Sequence, residues 1–88
     1  MIGEFAKSKA GRDKDHLYII VEEKEEYVYL VDGIYKLLEK PKKKKKKHIQ
    51  LAYNKIDRNI KEKLKNNLAV QNEEIKRVIK LYKAGSQI

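Results

Sequence analysis

The residues best suited to chemistry are basic, and they form two groups within the first 48 residues of the chain. One group surrounds a glycine and comprises Lys7, Lys9, Gly11, Arg12 and Lys14. The other is an unbroken run of six lysines, Lys42, Lys43, Lys44, Lys45, Lys46 and Lys47, flanked by Lys40 and His48. Lysine and arginine contact phosphate oxygens and release counterions, and glycine permits close backbone approach to a ligand. Both groups therefore indicate contact with a polyanion, either a nucleic acid or an anionic membrane surface. The alternatives are a solvated lysine run and an ordinary glycine-containing hairpin loop.

The positive charge is concentrated in part of the chain. Of the formal net charge of +9, residues 1–35 contribute −3, residues 36–50 contribute +7 and residues 51–88 contribute +5. The lysine run is thus a patch on a chain whose first third is acidic. Two basic helix faces extend it in the sequence, namely Arg58, Lys61 and Lys65 followed by Lys76, Arg77 and Lys80.

The other reactive residue types do not form a catalytic pattern. The chain has no cysteine, which excludes disulfides, thiolate metal sites and thiol catalysis. His16 and His48 are far apart, and neither serine lies in a nucleophile-elbow pattern. Glu22, Glu23, Glu25 and Glu26 lack the ligand spacing of a calcium loop, so we expect a solvated hairpin tip there. We therefore expect no enzyme, cofactor, metal or small-molecule substrate.

The elements that must position the basic groups are predicted from periodicity. Alternating apolar residues at 17–21 and 27–31 predict strands, and Asp32-Gly33 predicts a two-residue hairpin turn with a returning strand at 34–37. Shorter strands are predicted at 3–7 and 48–51. Four or five short antiparallel strands favour a small closed barrel, because closure removes exposed edges. The chain has no apolar run of signal-peptide length, so we expect a cytoplasmic protein without a membrane partner.

The period changes to that of helices after residue 51. The first helix is predicted to begin with Asn54 as its cap and to end at Asn66-Asn67, and the second to begin after Asn72 and stop at Gly85. Their apolar stripes are Tyr53, Ile56, Ile60 and Leu64, and Ile75, Val78, Ile79 and Tyr82. The stripes must pack on the barrel, on each other or on a partner. We accordingly divide the chain into a β module, residues 1–51, and a helical extension, residues 52–88.

The segment GEFAKSKAGRDK at residues 3–14, followed by apolar residues 17–21, resembles the KOW motif, with Gly11 at the family's central glycine. Short matches at residues 31–33, 40–42 and 48–50 make roughly residues 2–51 similar to short bacterial KOW-domain RNA-binding proteins. These are related to archaeal and eukaryotic large-subunit ribosomal proteins that begin with the same module. Asp15 stands where the family commonly has a second glycine.

The resemblance implies an SH3-like β-barrel, followed here by two short amphipathic helices, and RNA as the partner, typically ribosomal RNA. The contact is expected through the motif loop and a neighbouring lysine-rich loop. The residues expected to contact RNA are Lys7, Lys9, Gly11, Arg12, Lys14, Lys40, Lys42, Lys43, Lys44, Lys45, Lys46, Lys47 and His48. Selectivity would come from RNA shape or from unpaired bases stacked on Arg12 or on an exposed tyrosine. Tyr18, Tyr27, Tyr29 and Tyr35 are the tyrosine candidates, with half-buried barrel residues as the alternative. A protein-interaction module in the translation or transcription machinery, working through the C-terminal helices, is the alternative function.

Overall fold

The computed structural model describes residues 1–9, 11, 12, 14 and 16–85, which form an antiparallel sheet and two helices. The elements are β1 (Glu4–Ser8), β2 (Leu17–Glu23), β3 (Tyr27–Val31), β4 (Lys42–Lys45), a 3-10 helix (Lys46–His48), β5 (Ile49–Ile56), α1 (Arg58–Lys65) and α2 (Asn72–Gly85). The strand order is β4-β3-β2-β1-β5. The fold is therefore mainly β with α, as the sequence predicts.

The sheet is strongly curled. Its edge strands β4 and β5 would lie about 19 Å apart in a flat five-stranded sheet. Yet only the three residues Lys46–His48 connect them, and a 3-10 segment from Lys45 to Ile49 spans about 8 Å. The sheet must curl to bring its edges together. No ladder joins β4 to β5 in the described part of the chain, so the structure is a half-barrel where the sequence predicted a closed barrel.

Both faces of this half-barrel are buried, because successive side chains along each strand alternate between them. The concave face holds Ala6, Tyr18, Ile20, Val28, Leu30 and Ile49. The convex face holds Phe5, Leu17, Ile19 and Val31, which pack with Ile60 of α1 and with Ile75 and Ile79 of α2. Leu64, Val78 and Tyr82 are partly buried against the same cluster. The described part of both apolar stripes is thus covered by the sheet, a point that the spacing alone left open.

The connection after β3 differs from the predicted two-residue turn. Residues 34–37 form no strand, and β3 instead pairs with β4, the lysine run itself. Gly33 does adopt a positive φ of 80°, but the Asp32 side chain accepts the backbone N–H groups of Ile34, Tyr35 and Lys36. This local capping replaces ladder hydrogen bonds for three residues and carries the chain away from β3.

The start of α1 also differs from the prediction. β5 continues through Ile56. It therefore crosses the boundary predicted at residue 51 between the β module and the helical extension. Asp57, not Asn54, caps α1, accepting from the Ile60 N–H at 2.9 Å. The helix ends as predicted, with Asn66 at its C-cap and Asn67 at a φ of 55°. Neither helix is long and apolar enough, over the residues described, to cross a membrane.

Candidate nucleic-acid interface

The first four lysines of the run form an edge strand and not the loop that the sequence suggested. Lys42 and Lys44 lie opposite Leu30 and Val28, whereas Lys43 and Lys45 lie opposite Tyr29 and Tyr27. Residues paired across strands share a face, so the lysines alternate between the concave and the convex face. Lys42 and Lys44 are only partly exposed, and their alkyl stems can cover the apolar side chains of Leu30 and Val28 opposite them. This explains how four lysines form a strand.

The concave face brings Lys44 to the start of the glycine loop, which is the connection of residues 9–16 between β1 and β2. Its Nζ donates to Ser8 Oγ of β1 at 2.6 Å, although β3 and β2 lie between these strands in the sheet order. Lys42 Nζ is 5.9 Å from the centroid of the Tyr18 ring, and the His16 ring meets Tyr18 edge-on at 4.7 Å. Two lysines and a histidine therefore converge across the mouth of the half-barrel.

The glycine loop lies against the 3-10 helix that follows the lysine strand. Gly11 has a φ of 93°, and its carbonyl accepts the Lys14 N–H at 3.2 Å, closing a turn. The Lys9 N–H donates to the His48 carbonyl at 3.0 Å. Lys9, Arg12, Lys14 and His48 are all exposed, so the two basic groups of the sequence are neighbours in space. The departure at Asp15 lies outside the described residues.

On the convex face, lysines lie over tyrosines. Lys43 Nζ is 4.2 Å from the Tyr27 ring centroid, and Lys24 Nζ is 5.9 Å from that of Tyr29. Both tyrosines are half-buried, and Tyr18 is only 3% exposed, so its ring cannot receive a base. Tyr35, by contrast, is 79% exposed.

Lys46 is held by an acidic neighbour. Its Nζ donates to Glu23 at 2.7 Å, and the amino group of Met1 donates to the same carboxylate at 3.0 Å. The hydrogen bond from Lys46 is the main reason that the pKa of Glu23 lies below its ordinary value. Lys45, Lys46 and Lys47 face Glu25 and Glu26 across a shallow cleft of about 270 Å³. The glutamates do lie at the β2–β3 hairpin tip, as predicted.

Two of the expected contact residues lie apart from the rest. Lys7 alternates with Ala6 and Ser8 along β1 and so belongs to the opposite face from the Lys44–Ser8 contact. Lys40 is exposed in the connection between β3 and β4, beside Tyr35.

Sequence reasoning missed the organising role of Asp32. This carboxylate is 3% exposed, and its Oδ2 lies 2.8 Å from His16 Nε2. Burial alone would raise the pKa of Asp32, but hydrogen bonds from Lys36, Ile34, His16 and Tyr35 outweigh it and hold the pKa below its ordinary value. An Asp immediately after a strand and before a glycine is the signal that could have identified a capping residue.

The arrangement offers many cationic donors at the surface but no cluster, among the residues described, of three or more side chains that could hold a metal ion. Ammonium and guanidinium groups of this kind can donate hydrogen bonds to phosphate oxygens. Neither a protein-family model nor a curated protein sequence matches this chain.

Proposed function

We propose that the chain is a non-catalytic RNA-binding protein of the KOW type that contacts structured ribosomal RNA in the cytoplasm. In this proposal the curled sheet is the SH3-like barrel of that family. The observation that carries it is the meeting of the glycine loop with the lysine strand, through the Lys9–His48 and Ser8–Lys44 contacts. Segments more than thirty residues apart in sequence thereby form one basic surface.

Binding would rest on phosphate contacts. Lys43 and Lys45 are exposed on one face of β4 and follow each other at about 7 Å. Exposed Lys47 and the loop residues Lys9, Arg12 and Lys14 continue the surface. Each phosphate neutralised steepens the salt dependence by about 0.7 to 0.9 log units per log of salt. Such contacts supply affinity, whereas the shape of the RNA and its unpaired bases supply selectivity.

The first test is sedimentation of the tagged protein in an extract of its own cells, at about 0.1 M and about 0.5 M salt. We expect comigration with the large ribosomal subunit at low salt and its loss at high salt. A protein that stays at the top of both gradients would contradict the ribosomal assignment.

Two triple variants test whether β4 and the residues next to it make the RNA contact. Lys43→Ala, Lys45→Ala and Lys47→Ala together remove three exposed charges next to the loop. The matched control, Lys65→Ala, Arg77→Ala and Lys80→Ala, removes three exposed charges from the helices. We expect the first triple variant to lower the slope of log affinity against log salt by about 2, and the control to leave it nearly unchanged. Equal effects would indicate charge attraction without a defined site.

The sedimentation experiment also tests a protein-interaction role. Because Ile75 and Ile79 belong to the core, removal of α2 would damage the sheet and would not be informative. A protein partner would instead contact the exposed leucines Leu68 and Leu81, which are 58% and 63% exposed. Ribosome association lost on Leu68→Ser with Leu81→Ser, but kept in the lysine variant, would favour that role over RNA binding.

A further inference from the structure

The connection between β3 and β4 displays a large aromatic ring to solvent. Tyr35 is 79% exposed and its neighbours Ile34 and Leu37 are 53% and 37% exposed. No ring or cation contact to Tyr35 occurs within the described part of the chain. Exposure of three large apolar side chains within four residues leaves apolar surface in contact with water. Packing within the described part of the chain does not account for their exposed positions.

The backbone that carries Tyr35 is held from both sides. Asp32 Oδ1 accepts the N–H groups of Ile34, Tyr35 and Lys36 at 2.8 to 2.9 Å, and the Lys36 carbonyl accepts back from Asp32 and Gly33. Further along, the Leu38 N–H donates to Asn72 Oδ1 of α2 at 2.8 Å. An exposed ring on a fixed backbone loses little conformational entropy when a ligand covers it.

The Tyr35 ring borders a cleft lined by both apolar and cationic side chains. The cleft is about 310 Å³ and is lined by Tyr35, Lys36, Leu37, Glu39, Lys40 and Pro41. The cleft thus combines apolar and aromatic surface with two lysines. The acidic member, Glu39, is held at the α2 side, where its carboxylate accepts Asn72 Nδ2 at 3.0 and 3.1 Å.

We propose that this cleft binds one unpaired RNA nucleotide, with its base stacked on Tyr35 and its phosphate between Lys36 and Lys40. The inference rests on the proposed RNA-binding function and adds a site for single-stranded RNA to it. Two observations favour RNA over a protein segment as the occupant. Lys36 and Lys40 line the cleft together with the ring, and Lys40-Pro41 leads directly into the lysine strand, which continues the same cationic surface.

The test compares Tyr35→Ala, Tyr35→Phe and the control Leu81→Ala, which removes an exposed apolar side chain of α2. The probes are a labelled single-stranded RNA of about ten nucleotides and a blunt RNA duplex of matched charge, titrated at about 0.1 M salt. Stacking on one aromatic side chain contributes about 1 to 3 kcal/mol, so Tyr35→Ala should weaken single-strand binding about 5- to 150-fold. Tyr35→Phe and Leu81→Ala should bind as the unaltered protein does, and duplex affinity should stay within about twofold for every variant.

A second readout reports stacking directly. A 2-aminopurine base placed in the single strand should be quenched on binding to the unaltered protein and to Tyr35→Phe, and less so on binding to Tyr35→Ala. Lys36→Ala with Lys40→Ala should weaken single-strand binding more than Lys65→Ala with Lys80→Ala does.

The outcomes separate the two proposals. If the unaltered protein binds neither RNA, the RNA-binding function itself fails. If it binds both RNAs and Tyr35→Ala changes neither affinity, the nucleotide site is overturned while RNA binding stands, and the exposed loop is then a surface for a protein partner. A loss in Tyr35→Phe equal to that in Tyr35→Ala would also overturn it, because the hydroxyl and not the ring would then carry the binding.

Discussion

The two ends of β3 use acidic residues in opposite ways. Beside the start of β3, Glu23 at the end of β2 is exposed and pairs with Lys46 and with the amino group of Met1. At the other end Asp32 is buried and caps three backbone N–H groups. Both carboxylates have a lowered pKa, but exposed ion pairs contribute little to stability, whereas a buried cap fixes the course of the backbone. A lowered pKa alone therefore does not identify the acid on which the local structure depends.

We expect the largest loss of stability from a substitution of Gly33, because this residue lets the loop capped by Asp32 approach α2. A Cβ on Gly33 would lie 2.5 Å from the Asn72 carbonyl oxygen and 2.8 Å from the Lys76 nitrogen, at a φ of 80°. We expect Gly33→Ala to lower the free energy of unfolding by about 3 kcal/mol, measured by urea denaturation.

Asn67 supplies the control for that substitution. It has a φ of 55° at the exposed end of α1, so Asn67→Ala tests backbone strain without the clash and should cost about 1 kcal/mol. Equal costs for the two alanines would mean that the contact with α2 is not important.

A smaller effect is expected for the charge of Asp32. Asp32→Asn keeps an oxygen for the three N–H groups but removes the charge, so we expect a loss of about 1 kcal/mol near neutral pH. Because the pKa of the folded state lies below the ordinary value of 3.8, this stabilisation is complete above that value. It disappears as the pH falls through the pKa of the folded state.

Urea denaturation at a series of pH values checks both the loss of stability near neutral pH and its disappearance in acid. The difference between the unaltered protein and Asp32→Asn should shrink in acid. A difference that stays constant down to pH 2 would show that steric fit, and not charge, accounts for the loss.

The smallest effect is expected at the acidic tip. Glu23→Gln removes the charge that pairs with Lys46, but the carboxylate is exposed, so we expect no measurable change in the midpoint of urea denaturation. A clear decrease would contradict the contrast between the two ends of β3.

Periodicity predicted the elements whose side chains are buried on a regular face. β2 and β3 follow from the alternation at residues 17–21 and 27–31, and α2 from the stripe that includes Ile75 and Ile79, which are buried. Composition alone identifies the glycine loop and the lysine run as basic. Gly11 has a positive φ, a conformation that glycine adopts without a steric penalty.

The sequence could not predict β4, because six identical residues carry no periodicity and lysine disfavours strands. Only the tertiary setting, an edge position with Val28 and Leu30 opposite, makes Lys42–Lys45 a strand. Likewise, the local sequence Asp32-Gly33 is typical of a two-residue hairpin turn. The chain instead forms the loop capped by Asp32, in which Gly33 packs closely against α2, and this tertiary contact is not visible in the local sequence.

The position of the lysine strand β4 at the edge of the sheet has a consequence for self-association. An unpaired edge strand offers its backbone to any other strand, and this is the usual start of fibril growth. When two copies of this edge approach, eight ammonium groups meet at close range and repel one another. The strand that we propose to attract RNA is therefore also the one that keeps neighbouring copies from extending the sheet, and neutralising its lysines by acetylation would remove that protection.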